Sequence, residues 1–116
     1  METKLTQWPE EPPASTRRLR LLAEAASEFW GLSVPELLEK KRTNRLVWPR
    51  SICMWLARDV GYTYQTIGDW WDRDHGTVWH AEQLVNDLRE AKPSYEKQFR
   101  SFVLFYKNYT HRVEKK

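Results

Sequence analysis

The sequence predicts an all-α domain of about six helices, and three observations lead there. Apolar residues recur at helical spacing along most of the chain, and no stretch carries a strand signal. Capping residues, glycines and prolines punctuate those stretches at helix-sized intervals. The composition, 116 residues with 41% hydrophobic and 30% charged side chains, suits one soluble domain with one modest core.

Residues 1–14 carry Pro9, Pro12 and Pro13 beside Glu10 and Glu11, and are expected to form a mobile arm. The folded domain is expected over 15–110. Its first helix spans about Ser15 to Trp30, with Leu19, Leu22, Ala23, Ala26 and Trp30 on one face, and Gly31 stops it. Ser33 caps a short second helix that has Pro35 and Glu36 in its first turn, Leu37 and Leu38 facing inward, and Lys40-Lys41-Arg42 at its end.

Thr43 to Trp48 reads as a loop, because Pro49 biases the residue before it away from helix. Pro49 or Arg50 opens a third helix, with Ile52, Cys53, Trp55, Leu56 and Val60 inward and Gly61 at its end. Thr63 caps a fourth helix, Tyr64 to Trp71, whose apolar face is Ile67 with Trp70 or Trp71. After the turn Asp72-Arg73 comes the longest helix, Asp74 to about Ala91, striped by Val78, Ala81, Leu84, Val85 and Leu88. A sixth helix starts near Ser94 with an aromatic stripe of Tyr95, Phe99, Phe102, Tyr106 and Tyr109, joined by Val103. Such a stripe is usually core; a partner-binding face is the alternative. Residues 111–116 are expected to fray. Of the seven Trp, Trp30, Trp55 and Trp79 are expected to fill the core.

The net charge of +3 is mild, but its distribution is uneven. From Lys40 to Arg58 there are six basic residues (Lys40, Lys41, Arg42, Arg45, Arg50, Arg58) and no acid. From Asp59 to Thr77 four Asp face Arg73. A basic block beside a helix pair is the footprint of a DNA-binding face. The fourth helix, short turn and fifth helix have helix-turn-helix proportions, with the fifth as recognition helix. Asp74 is a good N-cap, and Arg73, His75 and Thr77 crowd the first turn, where a helix entering a major groove meets base edges. Asp accepts from cytosine N4, Arg and His donate to guanine or phosphate, and a Thr methyl touches a thymine methyl.

Other chemistries find little support. The single cysteine, Cys53, sits in an apolar pattern and leaves no disulfide framework, which fits a reducing cytoplasm. No apolar run reaches membrane-spanning length, and the first residues lack a signal-peptide pattern, so no membrane partner is expected. His75 and His80, five apart, do not share a face as a metal pair would. Asp69, Asp72 and Asp74 fit capping better than a cation site. No catalytic triad or cofactor is expected.

The ordered series Ala26-Ser27-Glu28-Phe29-Trp30-Gly31-Leu32-Ser33-Val34, Leu37 to Thr43, Pro49-Arg50, Met54 to Arg58, Ile67-Gly68 and Arg73-Asp74-His75-Gly76-Thr77-Val78-Trp79-His80-Ala81 resembles the C-terminal DNA-binding domain of DnaA, the bacterial replication initiator. The resemblance covers about Arg17 to Leu88. It implies a fold related to the Trp repressor and binding to a short duplex, the DnaA box. By position, Asp74, His75 and Gly76 match places that face base edges in the major groove, and Arg42 matches the minor-groove arginine of a basic loop. Arg50, Ser51, Arg58, Tyr64, Gln65, Thr77 and His80 match places at or beside the backbone. Lys41 and Arg45 of the basic block, and Arg73 of the turn, join that backbone group.

This chain departs from the family in several places. Gly76 replaces a threonine, the loop before the fourth helix and the turn after it are each one residue shorter, and Trp71-Asp72-Arg73 stands where an aromatic, two glycines and the arginine are usual. Trp48, Asn44 and Leu84 occupy places that are commonly basic. No Gly-Lys-Ser or Gly-Lys-Thr phosphate loop occurs, so the expectation is a stand-alone regulator of replication or transcription without ATPase, of bacterial or phage origin. The partner expected is double-stranded DNA. The alternative is a protein-interaction module that kept the fold, lost specific DNA binding and uses the C-terminal aromatic helix.

Overall fold

The structure, a computed structural model of the chain, describes residues 15–40 and 43–114. The expected arm 1–14, Lys41, Arg42 and residues 115–116 lie outside the described residues. Six helices follow one another: α1 (Arg17–Trp30), α2 (Val34–Leu38), α3 (Asn44–Val60), α4 (Tyr64–Trp71), α5 (His75–Ala91) and α6 (Pro93–Glu114). Among the described residues there is no strand, so the domain is all-α, and no helix is long and apolar enough to cross a membrane.

The helix ends follow local chemistry. Gly31 closes α1 at φ 66°, a left-handed conformation that suits a residue without Cβ, and the Gly31 and Leu32 N–H groups both donate to the Ser27 carbonyl. Ser33 and Glu36 form a reciprocal capping box on α2. The Thr63 hydroxyl accepts from the Thr66 N–H at 3.0 Å, and Asp74 Oδ1 accepts from the Thr77 N–H at 2.8 Å, fixing the starts of α4 and α5.

α3 runs through the middle, against α1, α2, α4 and α5, while α6 lies across α1 and α5. The aromatic stripe of α6 is core: Phe99, Phe102 and Tyr106 are fully buried. Phe102 packs on Phe29 and Trp30, and Phe99 packs edge-on to Trp55. Burial of this kind contributes about 1.5–3 kcal/mol for each Phe. Residues 111–114 continue α6.

Two expectations need correction. Residues 44–48 are not a loop but the opening of α3, with Pro49 inside the helix. Packing overrides the local bias: Leu46 and Trp48 are buried, Trp48 meets Tyr95 edge-on, and its Nε1 donates to Gln98 Oε1 at 3.1 Å. Pro49, the sixth residue of α3, removes the ladder bond to the Arg45 carbonyl, a cost that the burial of Leu46 and Trp48 offsets. Trp79 is not core either: its side chain is 47% exposed. Val78 and Val85 take the buried face of α5, and the residue after Val78 is turned about 100° away from it. Trp30 and Trp55 are half-buried and pack against the core as expected.

Candidate nucleic-acid interface

The tight connection between α4 and α5 depends on Gly68. The Arg73 N–H donates to the Gly68 carbonyl at 2.8 Å, and a Cβ on Gly68 would sit 2.6 Å from the Arg73 carbonyl oxygen. Asp72 closes α4 in the left-handed conformation at φ 56°, which Asp tolerates better than most residues. One left-handed Asp thus does the work of a longer glycine turn.

Basic side chains gather at the C-terminal end of α2, where carbonyls lack helical partners. Buried Arg50 donates through Nε to the Leu37 carbonyl at 2.6 Å and through Nη2 to the carbonyls of Glu36, at 3.1 Å, and Glu39. Arg73 reaches the same Glu39 carbonyl at 2.6 Å, while its Nη1 holds Trp71 O at 2.9 Å. Burial, with the Arg73 charge nearby, lowers the Arg50 pKa below its ordinary value. Lys40 pairs with Asp72 at 3.1 Å, and Arg45 pairs with Glu36. The segment leading into residues 41–42 is therefore tied to both the start of α3 and the α4–α5 turn.

Lys40, Arg50, Ser51, Arg73, Thr77 and His80 line one groove between α3 and α5, floored by Val47, Met54, Ala81 and Leu84. At its edge the first turn of α5 presents Asp74 and His75, both exposed, and half-exposed Gly76. Asp74 Oδ1 also accepts from Thr77 Oγ1 at 3.1 Å; the Thr77 N–H and hydroxyl hold its carboxyl below the usual range. A base contact here would use a carboxylate already fixed by its cap.

Arg58, Tyr64 and Gln65 stand outside that groove. The Arg58 guanidinium lies over the Tyr64 ring at 4.1 Å, the Tyr64 hydroxyl donates to Glu82, and Gln65 Nε2 donates to Asp69 Oδ1 at 2.8 Å. The first two lock α3, α4 and α5 together. The sequence reading included Lys40 only as part of the basic run and left the apolar floor out of the site. Lys40 was visible in the basic run; the floor was visible only as an ordinary helix stripe. Among the described residues no group of three or more His, Cys, Asp or Glu could hold a metal. Cys53 is buried, which pushes its thiol pKa up and leaves it unreactive.

Comparison with known proteins matches this arrangement over its core. A family model described as bacterial dnaA protein helix-turn-helix covers residues 20–85. The chain belongs to that family. Chromosomal replication initiator protein DnaA of Dechloromonas aromatica is 37% identical over 70 residues, which is 59% of this chain and 15% of that protein. The DnaA of Acinetobacter baumannii is 33% identical over 92 residues, 78% of this chain and 20% of that protein. The DnaA of Neisseria meningitidis is 28% identical over 90 residues, 76% of this chain and 17% of that protein. The chain thus spans no more than one fifth of these curated relatives. Membership in this helix-turn-helix family supports DNA binding. α6 lies beyond the matched residues.

Proposed function

We propose that the chain is a sequence-preferring reader of double-stranded DNA. The N-terminal turns of α5 enter the major groove, with Asp74, His75 and Gly76 at base edges. The basic segment 40–50, whose residues from Asn44 on open α3, tracks the backbone and sets Arg42 at the minor groove, where an arginine reads groove width. Lys41, Arg45, Arg50, Ser51, Arg58, Tyr64, Gln65, Arg73, Thr77 and His80 lie at or beside phosphates. The observation that carries this reading is the convergence of Lys40, Arg50, Ser51, Arg73, Thr77 and His80 on one groove beside the exposed start of α5. Phosphate contacts of this kind position a protein, and the base contacts specify the sequence.

The biological role is regulation of replication or transcription in the cytoplasm, at the nucleoid. These 116 residues act by occupying sites, blocking them or positioning a partner.

Fluorescence anisotropy tests the reading with a DnaA-box-like duplex beside a scrambled one across a salt series. The five Lys and Arg residues assigned to the backbone (Lys41, Arg45, Arg50, Arg58 and Arg73) would give a log–log salt slope of about −4.5. Preference for the box supports the reader. Equal salt-dependent binding keeps DNA and discards the box. Within the reader, His75→Ala costs roughly 1–3 kcal/mol of discrimination between the two duplexes. Equal losses on both would remove His75 from the base-facing set. The second reading, a protein-interaction module, has one observation in its favour: Leu104 on α6 is 61% exposed beside half-buried Phe105. It requires that no duplex binds even at low salt.

A further inference from the structure

An exposed indole stands on the proposed recognition helix, outside the buried core. Among the described residues the exposed large hydrophobics are Trp79 and Leu104, and only Trp79 lies on α5. Trp79 follows His75 by four residues and Gly76 by three, so the three share one helix face. Helical side chains lean toward the N-terminus, which carries the indole back over the turn that holds His75 and Gly76. The His80 ring meets it edge-on, with centroids 5.1 Å apart and planes at 76°, and supports one side. Gly76 leaves a notch in front of it. A Cβ there would meet the Asp74 carboxylate closely, at 3.3 Å, so the notch is shallow and bounded by that carboxylate.

An apolar wall beside a residue without a side chain fits an apolar feature of the groove. In the major groove that feature is the C5 methyl of thymine, since the other base-edge groups are donors and acceptors. From this we infer that Trp79 is a specificity-determining residue which reads one thymine through its methyl, seated in the Gly76 notch against the indole. The inference rests on the DNA-binding reading and deepens it. It also assigns a consequence to Gly76: the missing side chain makes room for the methyl.

The test uses the full chain and a duplex recovered by it from a random-sequence library. Each thymine of that duplex is replaced in turn by deoxyuridine, which removes only the methyl. Loss of one buried methyl-sized group corresponds to about fourfold in affinity. For the wild-type chain one substitution should weaken binding by about that factor. Trp79→Ala should bind the thymine and uracil duplexes equally, at the weaker level, and Trp79→Phe should keep part of the difference. Because the side chain is half in water, both variants should melt with the wild type. A recovered site without thymine, no deoxyuridine effect, or an undiminished effect in Trp79→Ala would overturn the assignment while leaving DNA binding intact. Failure of the full chain to bind any duplex at low salt would overturn both.

Discussion

Replacing Gly68 by alanine should loosen the helix-turn-helix at its tightest point. The new Cβ would sit 2.6 Å from the Arg73 carbonyl oxygen, with Asp74 C and O at 3.4 and 3.5 Å. Close carbon–oxygen contacts in proteins begin at about 3.3 Å, so α4 and the start of α5 must part by about 0.7 Å. Neither side yields easily. Gly68 is buried in α4 and its carbonyl holds the Arg73 N–H, while the Arg73 guanidinium is bonded to Trp71 and Glu39. Overpacking of this kind costs about 1–3 kcal/mol, partly offset by up to about 1 kcal/mol of helix propensity. A net loss of about 1–2 kcal/mol corresponds to about 4–8 °C in Tm for a domain of this size. Gly76→Ala is the matched control, because its Cβ meets only the end of the Asp74 side chain at 3.3 Å. Far-UV circular dichroism melts of the two variants and the parent decide the matter. A Gly68→Ala protein that melts with the parent would show that the turn accommodates a methyl and that the argument from the Arg73 oxygen is wrong.

Three further perturbations probe other joints. Arg50→Lys keeps the charge but cannot reach the carbonyls of Glu36, Leu37 and Glu39 together, so it should cost about 1.5–3 kcal/mol in guanidinium chloride titrations; an unchanged midpoint would mean the fork is dispensable. Asp74 is held below its ordinary carboxyl pKa chiefly by the Thr77 N–H, so its contribution is complete above the unfolded value and disappears as pH falls through the folded one. Asp74→Asn, which still caps, should therefore lose less Tm than the parent between pH 5 and pH 2, and parallel curves would contradict this. Arg89 lies 3.9 Å over the Phe99 ring and bonds Glu96 at 2.6 Å, joining α5 to α6, so Arg89→Ala should destabilise by about 1–2 kcal/mol in the same titrations. A loss under a few tenths would place that residue among ordinary surface ion pairs.

The parts legible in the sequence are those whose causes lie within a few residues. Ser33, Thr63 and Asp74 cap their own helices, and Gly31 and Gly61 stop theirs, so the order and type of the helices could be read directly. The start of α3 could not, because what holds Trp48 in a helix is Tyr95 and Gln98, distant in sequence. Trp79 misled for a different reason. The core expectation rested on the residue type, whereas the spacing of Val78, Ala81, Val85 and Leu88 already leaves Trp79 about 100° off the buried face. At the candidate interface the basic run was plain. Nothing local, however, showed that Arg50 and Arg73 converge on the Glu39 carbonyl, because a backbone oxygen on another helix leaves no trace in side-chain chemistry.

The last helix has a consequence for synthesis. α6 is 22 residues, about 33 Å of helix, and it roofs both the first helix and the fifth. A nascent chain that has completed α1 to α5 already carries every residue proposed to touch DNA, yet Phe29, Trp30 and Trp55 still wait for Phe99 and Phe102. A chain cut before residue 93 therefore loses the cover of its core rather than a tail. Fragments that end before α6 should therefore be cut by proteases more readily than the whole domain.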